Sequence, residues 1–289
     1  MSSIGYSGLK TLVVFCSLAV IAISAPVQAN QPLLDQIGVD LPSVPCLLKV
    51  PFAYKHGDSA FQVTKKATCF MIDVICDSNL IQRFFITNNH PFVLDDSAQN
   101  VHIETDSGLV LVNMRNSARN RDTVVTGKVG VLARNGPQDL VLLDFSVQVP
   151  LGFRMGINCP QIDLDSTFRD PSVAEDIAYV GFPLLLGEDT TFLRGNEPLV
   201  IMGSVAQVPK SRPWFIIQAP TFPGASGSPV FSAKDGHFLG VTSAVVRKKN
   251  AGDSAYESFQ YALKASWIVP WIKSMIRGDV LEKACGTAK

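Results

Sequence analysis

The chain has 289 residues, 47% of them hydrophobic, with 25 basic residues set against 25 acidic ones. That apolar content excludes a disordered chain and is enough for one large domain or two fused small ones. The cancelling charges exclude a basic field that would gather nucleic acid or an anionic membrane, so no nucleic-acid partner is expected.

Residues 1–29 read as a leader. Lys10 is the one charged residue ahead of a largely apolar run over 11–25, and Val27-Gln28-Ala29 offers the small residues after which a signal peptidase cuts. The run is shorter than the roughly 20 apolar residues of a spanning helix. The expected product is therefore exported, periplasmic or extracellular, with no stable membrane insertion once the signal is removed. Cys16 lies in the apolar run without a lipobox-like context, which argues against lipid attachment. An oxidising destination would let Cys46, Cys69, Cys76, Cys159 and Cys285 form two disulfides and leave one thiol, with the pairing open. Cys69 and Cys76 flank a short apolar segment and could close a hairpin. No Cys-Xaa-Xaa-Cys or Cys/His cluster points to zinc, and no metal or other cofactor is expected.

Residues 30–45 form a polar, proline-marked lead-in. Short runs rich in Val, Ile, Phe and Leu then recur at 47–50, 69–74, 84–87, 109–113, 123–131 and 140–145, each bounded by turn-forming residues. This spacing predicts an all-β barrel or sandwich over 46–150. The polar run 115–122 reads as a solvated loop between two strands. After a turn-rich stretch, strand-like runs resume at 177–180, 199–208, 214–218, 230–231 and 238–246, predicting a second β unit within 151–289. Asp235-Gly236 is a hairpin signal. Trp267, Ile268, Trp271, Ile272, Met275 and Ile276 repeat at helical spacing and predict an amphipathic C-terminal helix. In that helix Pro270 would stand in the first turn, Gly278 would be the stop, and the tryptophans would belong to the core.

Three segments carry the chemistry. In Pro220-Thr221-Phe222-Pro223-Gly224-Ala225-Ser226-Gly227-Ser228-Pro229-Val230-Phe231 a serine lies on a tight turn. Gly224, Ala225 and Gly227 leave room for backbone N–H groups to face a developing oxyanion, and Pro220 and Pro223 stiffen the approach. Ordinary glycine-rich turns share this pattern, so the assignment leans on two partners. His90 follows the apolar strand Phe84-Phe85-Ile86-Thr87 and precedes Pro91, which suits the start of a short helical turn. His56, His102 and His237 lie in polar or turn contexts. Asp139 follows the Asn135-Gly136-Pro137 turn and opens a buried strand. A carboxylate there can accept the Nδ1–H of an imidazole and fix its tautomer. Asp144 would face the other side of that strand, and Asp95 and Asp96 read as a solvated loop.

The order His90, Asp139, Ser226, carried by Phe-Phe-Ile-Thr-Asn-Asn-His, Asp-Leu-Val-Leu-Leu and Thr-Phe-Pro-Gly-Ala-Ser-Gly-Ser-Pro-Val-Phe, resembles the chymotrypsin-like or trypsin-like serine peptidases. It looks closest to the bacterial exported trypsin-like peptidases with a Gly-Xaa-Ser-Gly-Ser-Pro serine loop, over roughly residues 46–276. The resemblance implies two six-stranded antiparallel β-barrels with a C-terminal α-helix. It also implies His90 as general base then acid, Asp139 as its orienter, Ser226 as nucleophile, and the N–H groups of Gly224 and Ser226 as the oxyanion hole. The pocket would be lined by Pro220, Thr221, Thr242, Ser243 and Ala244; with no acid among them, a small-to-medium uncharged side chain is expected at the cleaved bond. Arg247-Lys248-Lys249 reads as a wet hairpin tip. Two departures stand out. Ala225 occupies the position where trypsin has an aspartate that captures a new N-terminus, which excludes zymogen activation by that ion pair. Ala67-Thr68-Cys69-Phe70 replaces a strand entry often written Gly-Thr-Gly-Phe.

The function expected from the resemblance is an exported serine endopeptidase acting on protein or peptide substrates through an acyl-enzyme. The rival from another class is a catalytically weak or inactive peptidase-like peptide-binding or chaperone protein, motivated by the altered Cys69 region. An α/β hydrolase fits worse, because its histidine follows the serine in sequence.

Overall fold

The short runs rich in Val, Ile, Phe and Leu are realised as strands of two closed antiparallel barrels in a computed structural model of the chain. The structure describes residues 45–56, 58–77, 80–96, 101–116, 121–146, 168–182, 198–245 and 259–276. Residues 1–44, Cys159, Cys285, Arg247-Lys248-Lys249 and Gly278 lie outside them.

The first barrel comprises β1 (Pro45–His56), β2 (Ser59–Asp77), β3 (Leu80–Asn88), β6 (Ser107–Asn116), β7 (Arg121–Asn135) and β8 (Leu140–Ser146). Its strands close in the order β1-β2-β3-β8-β7-β6. A two-stranded ribbon, β4 (Val93–Asp96) with β5 (Val101–Glu104), follows the turn that carries His90. The second barrel holds β9 (Asp176–Gly181), β10 (Leu199–Gln207), β11 (Trp214–Gln218), β12 (Pro229–Ser232), β13 (Phe238–Val245) and β14 (Phe259–Lys264), closed as β10-β11-β14-β13-β12-β9. The helix α1 (Ala265–Ile276) follows directly. Closure gives every barrel strand a neighbour on both sides, which limits the exposed strand edges that would invite aggregation. This is the architecture expected from the sequence.

Each barrel is filled by every second residue of its strands. Ala67, Cys69 and Met71 of β2 meet Leu48, Val50, Phe85, Val141 and Leu143 inside the first barrel. Ile177, Tyr179, Phe215, Ile217, Val230, Leu239 and Ala262 fill the second. At roughly 1.5–3 kcal/mol for each large apolar side chain removed from water, these two interiors are the main stabilising term. The intervening residues of β2 and β3 are buried as well: Thr68, Phe70, Phe84 and Ile86 are at most 1% exposed. They are covered from outside the barrel, and the Phe70 ring meets Phe238 of β13 with centroids 5.6 Å apart. The outer face of β2 and β3 is therefore the seam between the barrels. Glycine is required there: a Cβ on Gly181 would stand 2.2 Å from Ser228 Oγ, and one on Gly227 only 2.1 Å from the Thr68 carbonyl oxygen.

Several expectations are corrected. The ends of the run 115–122 are strand, since Arg115 pairs with Asp122 and Asn116 with Arg121 on β6 and β7, while 117–120 lie outside the described residues. Cross-strand pairing holds these polar residues extended where no apolar alternation announces a strand. Asp95 and Asp96 lie on β4, opposite His102 and Val101, rather than in a loop. Cys69 and Cys76 lie on one strand, β2, so no hairpin separates them. Cys69 instead faces Cys46 across the β1–β2 ladder, and both are buried free thiols. Burial, with Cys69 alongside, pushes the Cys46 thiol well up. The helix begins at Ala265, which places Pro270 in its interior. Ile268, Val269 and Ile272 form its buried face, while Trp267 is 45% exposed and is not core. Among the described residues no helix is long and apolar enough to cross a membrane.

Candidate active site

The site begins with a register. Asn88, the last residue of β3, pairs with Leu140, the first of β8. The residues just beyond, Asn89-His90 on one side and Asp139 on the other, are thereby delivered to the same end of the first barrel. Asp139 ends a short 3-10 turn, Gly136–Gln138, in the left-handed region (φ 53°, ψ 43°). That conformation costs about 1–2 kcal/mol for most L-residues and is tolerated best by Asp and Asn. Four groups then converge on the carboxylate. Oδ1 accepts the backbone N–H groups of Asn89 (3.1 Å) and His90 (2.8 Å). Oδ2 accepts His90 Nδ1–H (2.8 Å) and the Ser243 hydroxyl (3.2 Å).

His90 opens a 3-10 turn whose other members, Pro91 and Phe92, are buried anchors. Its side chain is half exposed. With Nδ1 donating to a carboxylate, the neutral ring presents Nε2 as an acceptor. The turn is braced from two sides. The Arg134 guanidinium donates to Asn89 Oδ1, to the Thr105 carbonyl (2.7 Å) and to Asp106 (2.7 Å), and lies 5.8 Å above the Phe92 ring. The Lys65 ammonium donates to the carbonyl of Val93 and, at 3.4 Å, to that of His90. Burial lowers the Lys65 pKa, and the charge of Asp95 opposes the shift.

The serine loop leaves β11 and enters β12. Gly224 (φ 94°) and Gly227 (φ 85°) take backbone conformations that L side chains avoid. Within the loop, the N–H of Ala225 donates to Phe222 O (3.1 Å), that of Gly227 to Thr242 O (3.0 Å) and that of Ser228 to Ala225 O (3.0 Å). Among the described residues the N–H groups of Gly224 and Ser226 find no acceptor. The Ser226 hydroxyl donates to the Ser243 carbonyl at 3.3 Å. Ser243 thus joins the parts: its carbonyl receives Ser226 and its hydroxyl reaches Asp139, so a residue of β13 ties the serine of one barrel to the carboxylate of the other.

The pocket candidates divide. Thr242 is buried, its hydroxyl donating to Ala225 O and accepting the Ser228 N–H at 3.1 Å, so it supports the loop from beneath. Thr221 and Ser243 are half buried, and the side chain of Ala244 lies outside the described residues. Ala225 packs into the core of the second barrel, where an acid would have no place. Pro220 is fastened through its carbonyl by the Tyr179 hydroxyl, and burial pushes the Tyr179 phenol up to about 12.

The competing groups lead elsewhere. Asp144 pairs with Phe84 partway along the ladder and is exposed. His237 has a carboxylate 2.9 Å away, Asp235. Asp235 also pairs with Arg169 at 2.9 Å, and Arg169 in turn holds Glu175, forming a brace on the β12–β13 hairpin. Burial would raise the Asp235 carboxyl, but hydrogen bonds from His237, Ser232 and Arg169 outweigh it and hold the group well below the usual carboxylate range.

Arg134, Lys65, Tyr179 and the bridging role of Ser243 had no sequence signal, because each acts on a segment distant in the chain.

Two closed six-stranded barrels, with a histidine–aspartate pair at the end of the first and a glycine-rich serine loop from the second, define a chymotrypsin-like fold. Residues 67–241 match the family described as the trypsin-like peptidase domain, and the chain belongs to that family. No curated protein is significantly similar to it in sequence.

Proposed function

We propose that this chain is an exported serine endopeptidase that hydrolyses peptide bonds of protein or peptide substrates through an acyl-enzyme. In this reading Ser226 Oγ turns from the Ser243 carbonyl to His90 Nε2, gives up its proton and attacks the scissile carbonyl. The oxyanion is received by the N–H groups of Gly224 and Ser226, which have no acceptor among the described residues. His90, now an imidazolium, is stabilised by Asp139 and passes its proton to the leaving amine. Water then repeats the cycle on the acyl-enzyme, with no metal or cofactor in any step. A positioned base is worth roughly 10²–10⁴-fold and one oxyanion donor roughly 10²–10³-fold, so both parts are needed for useful rates.

The observation that carries this reading is the 2.8 Å contact of His90 Nδ1 with Asp139 Oδ2, joined to Ser226 through Ser243. Pro220, Thr221 and Ser243 carry no charge, in keeping with a small-to-medium uncharged side chain at the cleaved bond. Export rests on the leader at 1–29. A fluorophosphonate probe tests the assignment: folded protein is labelled at Ser226, and Ser226→Ala is not. Absence of labelling on folded parent protein would favour a peptide-binding protein that does not cut.

A further inference from the structure

Thr68, on β2 of the first barrel, hydrogen-bonds the serine loop of the second. Its neighbours Ala67 and Cys69 point into the first barrel's core, so the pleat of β2 turns Thr68 outward, into the seam, where it is fully buried. Every polar group of this residue is engaged. Its N–H donates to the Ser226 carbonyl (3.0 Å) and its carbonyl accepts the Thr87 hydroxyl (2.7 Å). Its own hydroxyl donates to the Gly224 carbonyl (2.8 Å) and accepts the N–H of Phe182, just past β9, at 3.0 Å.

The two carbonyls held in this way belong to Gly224 and Ser226, whose N–H groups have no acceptor among the described residues. Gly224, at φ 94°, has no side chain to restrict it, and glycine occupies positive and negative φ about equally. Nothing intrinsic to Gly224 keeps its N–H on the side of the Ser226 N–H. With both carbonyls held from the opposite barrel, the Gly224–Ala225 and Ser226–Gly227 peptides cannot rotate without breaking a buried hydrogen bond, and the Ala225–Ser226 peptide between them is held through the Ala225 carbonyl by Thr242 and the Ser228 N–H. Thr87, three residues before His90, completes the chain from the serine loop through Thr68 to the histidine's strand.

We infer that Thr68 is a positioning residue for oxyanion binding: its hydroxyl holds the Gly224–Ala225 peptide so that the Gly224 and Ser226 N–H groups stay convergent. The inference rests on the reading of Ser226 as the nucleophile. It assigns Thr68 to the transition state and not to substrate capture, so its loss appears in kcat and not in KM.

The test compares Thr68→Val, which keeps the shape and loses the hydroxyl, with Thr68→Ser, which keeps the hydroxyl and loses a methyl. With a peptide substrate, Thr68→Val lowers kcat by about tenfold or more while KM moves less than about threefold, a smaller loss than deleting an oxyanion donor outright. Affinity for a peptide boronate or aldehyde falls in parallel, and Thr68→Ser restores most of both losses. Amide hydrogen exchange over residues 222–228 reads the clamp without turnover. Protection falls in Thr68→Val and is kept in Thr68→Ser, with thermal unfolding confirming that both variants are folded. Unchanged loop protection and kcat in folded Thr68→Val would overturn the inference, as would equal losses in both variants. A parent protein that neither cleaves nor labels overturns the peptidase reading instead, and the exchange measurement still decides whether Thr68 holds the loop.

Discussion

His90 and Asp139 are joined twice: the ring Nδ1–H meets Oδ2 at 2.8 Å, and the backbone N–H of the same histidine meets Oδ1 at 2.8 Å. One carboxylate therefore fixes both where the histidine's backbone lies and which way its ring faces. Rotating the carboxylate to improve one bond would break the other.

Asp139→Asn tests that pair of hydrogen bonds. An amide offers one acceptor and one donor, so it cannot serve the backbone N–H and the ring N–H together, and the ring is driven toward the other tautomer. The expected outcome is a fall in kcat of roughly 10³–10⁴-fold with little change in KM, read by steady-state cleavage of a peptide substrate. The rate of phosphonylation of Ser226 should fall with it.

Gly227→Ala tests the seam. A Cβ there would lie 2.1 Å from the Thr68 carbonyl oxygen and 2.4 Å from Thr87 Oγ1, on a residue at φ 85°. Left-handed strain and overpacking together predict a loss of roughly 2–5 kcal/mol in urea unfolding. Gly136→Ala is the control. Nothing stands within 4 Å of its added Cβ, and it should change stability by less than about 1 kcal/mol.

Tyr179 sets an alkaline limit. Its folded pKa is raised to about 12 by burial, against an ordinary value near 10. A group raised in this way contributes stability that is complete below the unfolded pKa and is lost as pH climbs through the folded one. Stability should fall by about 2–3 kcal/mol between pH 10 and 12, a two-unit shift at 1.36 kcal/mol per unit. Tyr179→Phe should be less stable at neutral pH, because the Pro220 carbonyl loses its donor, and should show a flatter decline above pH 10. Thermal midpoints measured from pH 8 to 12 on both proteins decide this. Parallel curves would argue against it.

Much of this molecule is local in origin. Short runs rich in Val, Ile, Phe and Leu, bounded by turn-forming residues, specify strands because these side chains fit a pleated, buried surface, and that rule needs only neighbours in sequence. The glycines and prolines around Ser226, the turn before Asp139 and the strand before His90 are equally local, so the segments of the candidate site could be picked out without coordinates. The same reasoning placed the C-terminal helix but misplaced its first turn. Ala265 follows β14 directly and starts the helix five residues ahead of Pro270, and the register of its apolar residues against the second barrel leaves Trp267 in water.

What tertiary structure alone decided are the contacts between residues far apart in the chain. Ser243 joins Ser226 to Asp139, Thr68 crosses from one barrel to hold the loop of the other, Arg134 reaches the turn beside His90, and Cys69 faces Cys46 rather than Cys76. Each depends on the strand register and on how the barrels close. Register and closure are fixed by the packing of whole faces against one another, a property of the assembled sheet that no short stretch of residues contains.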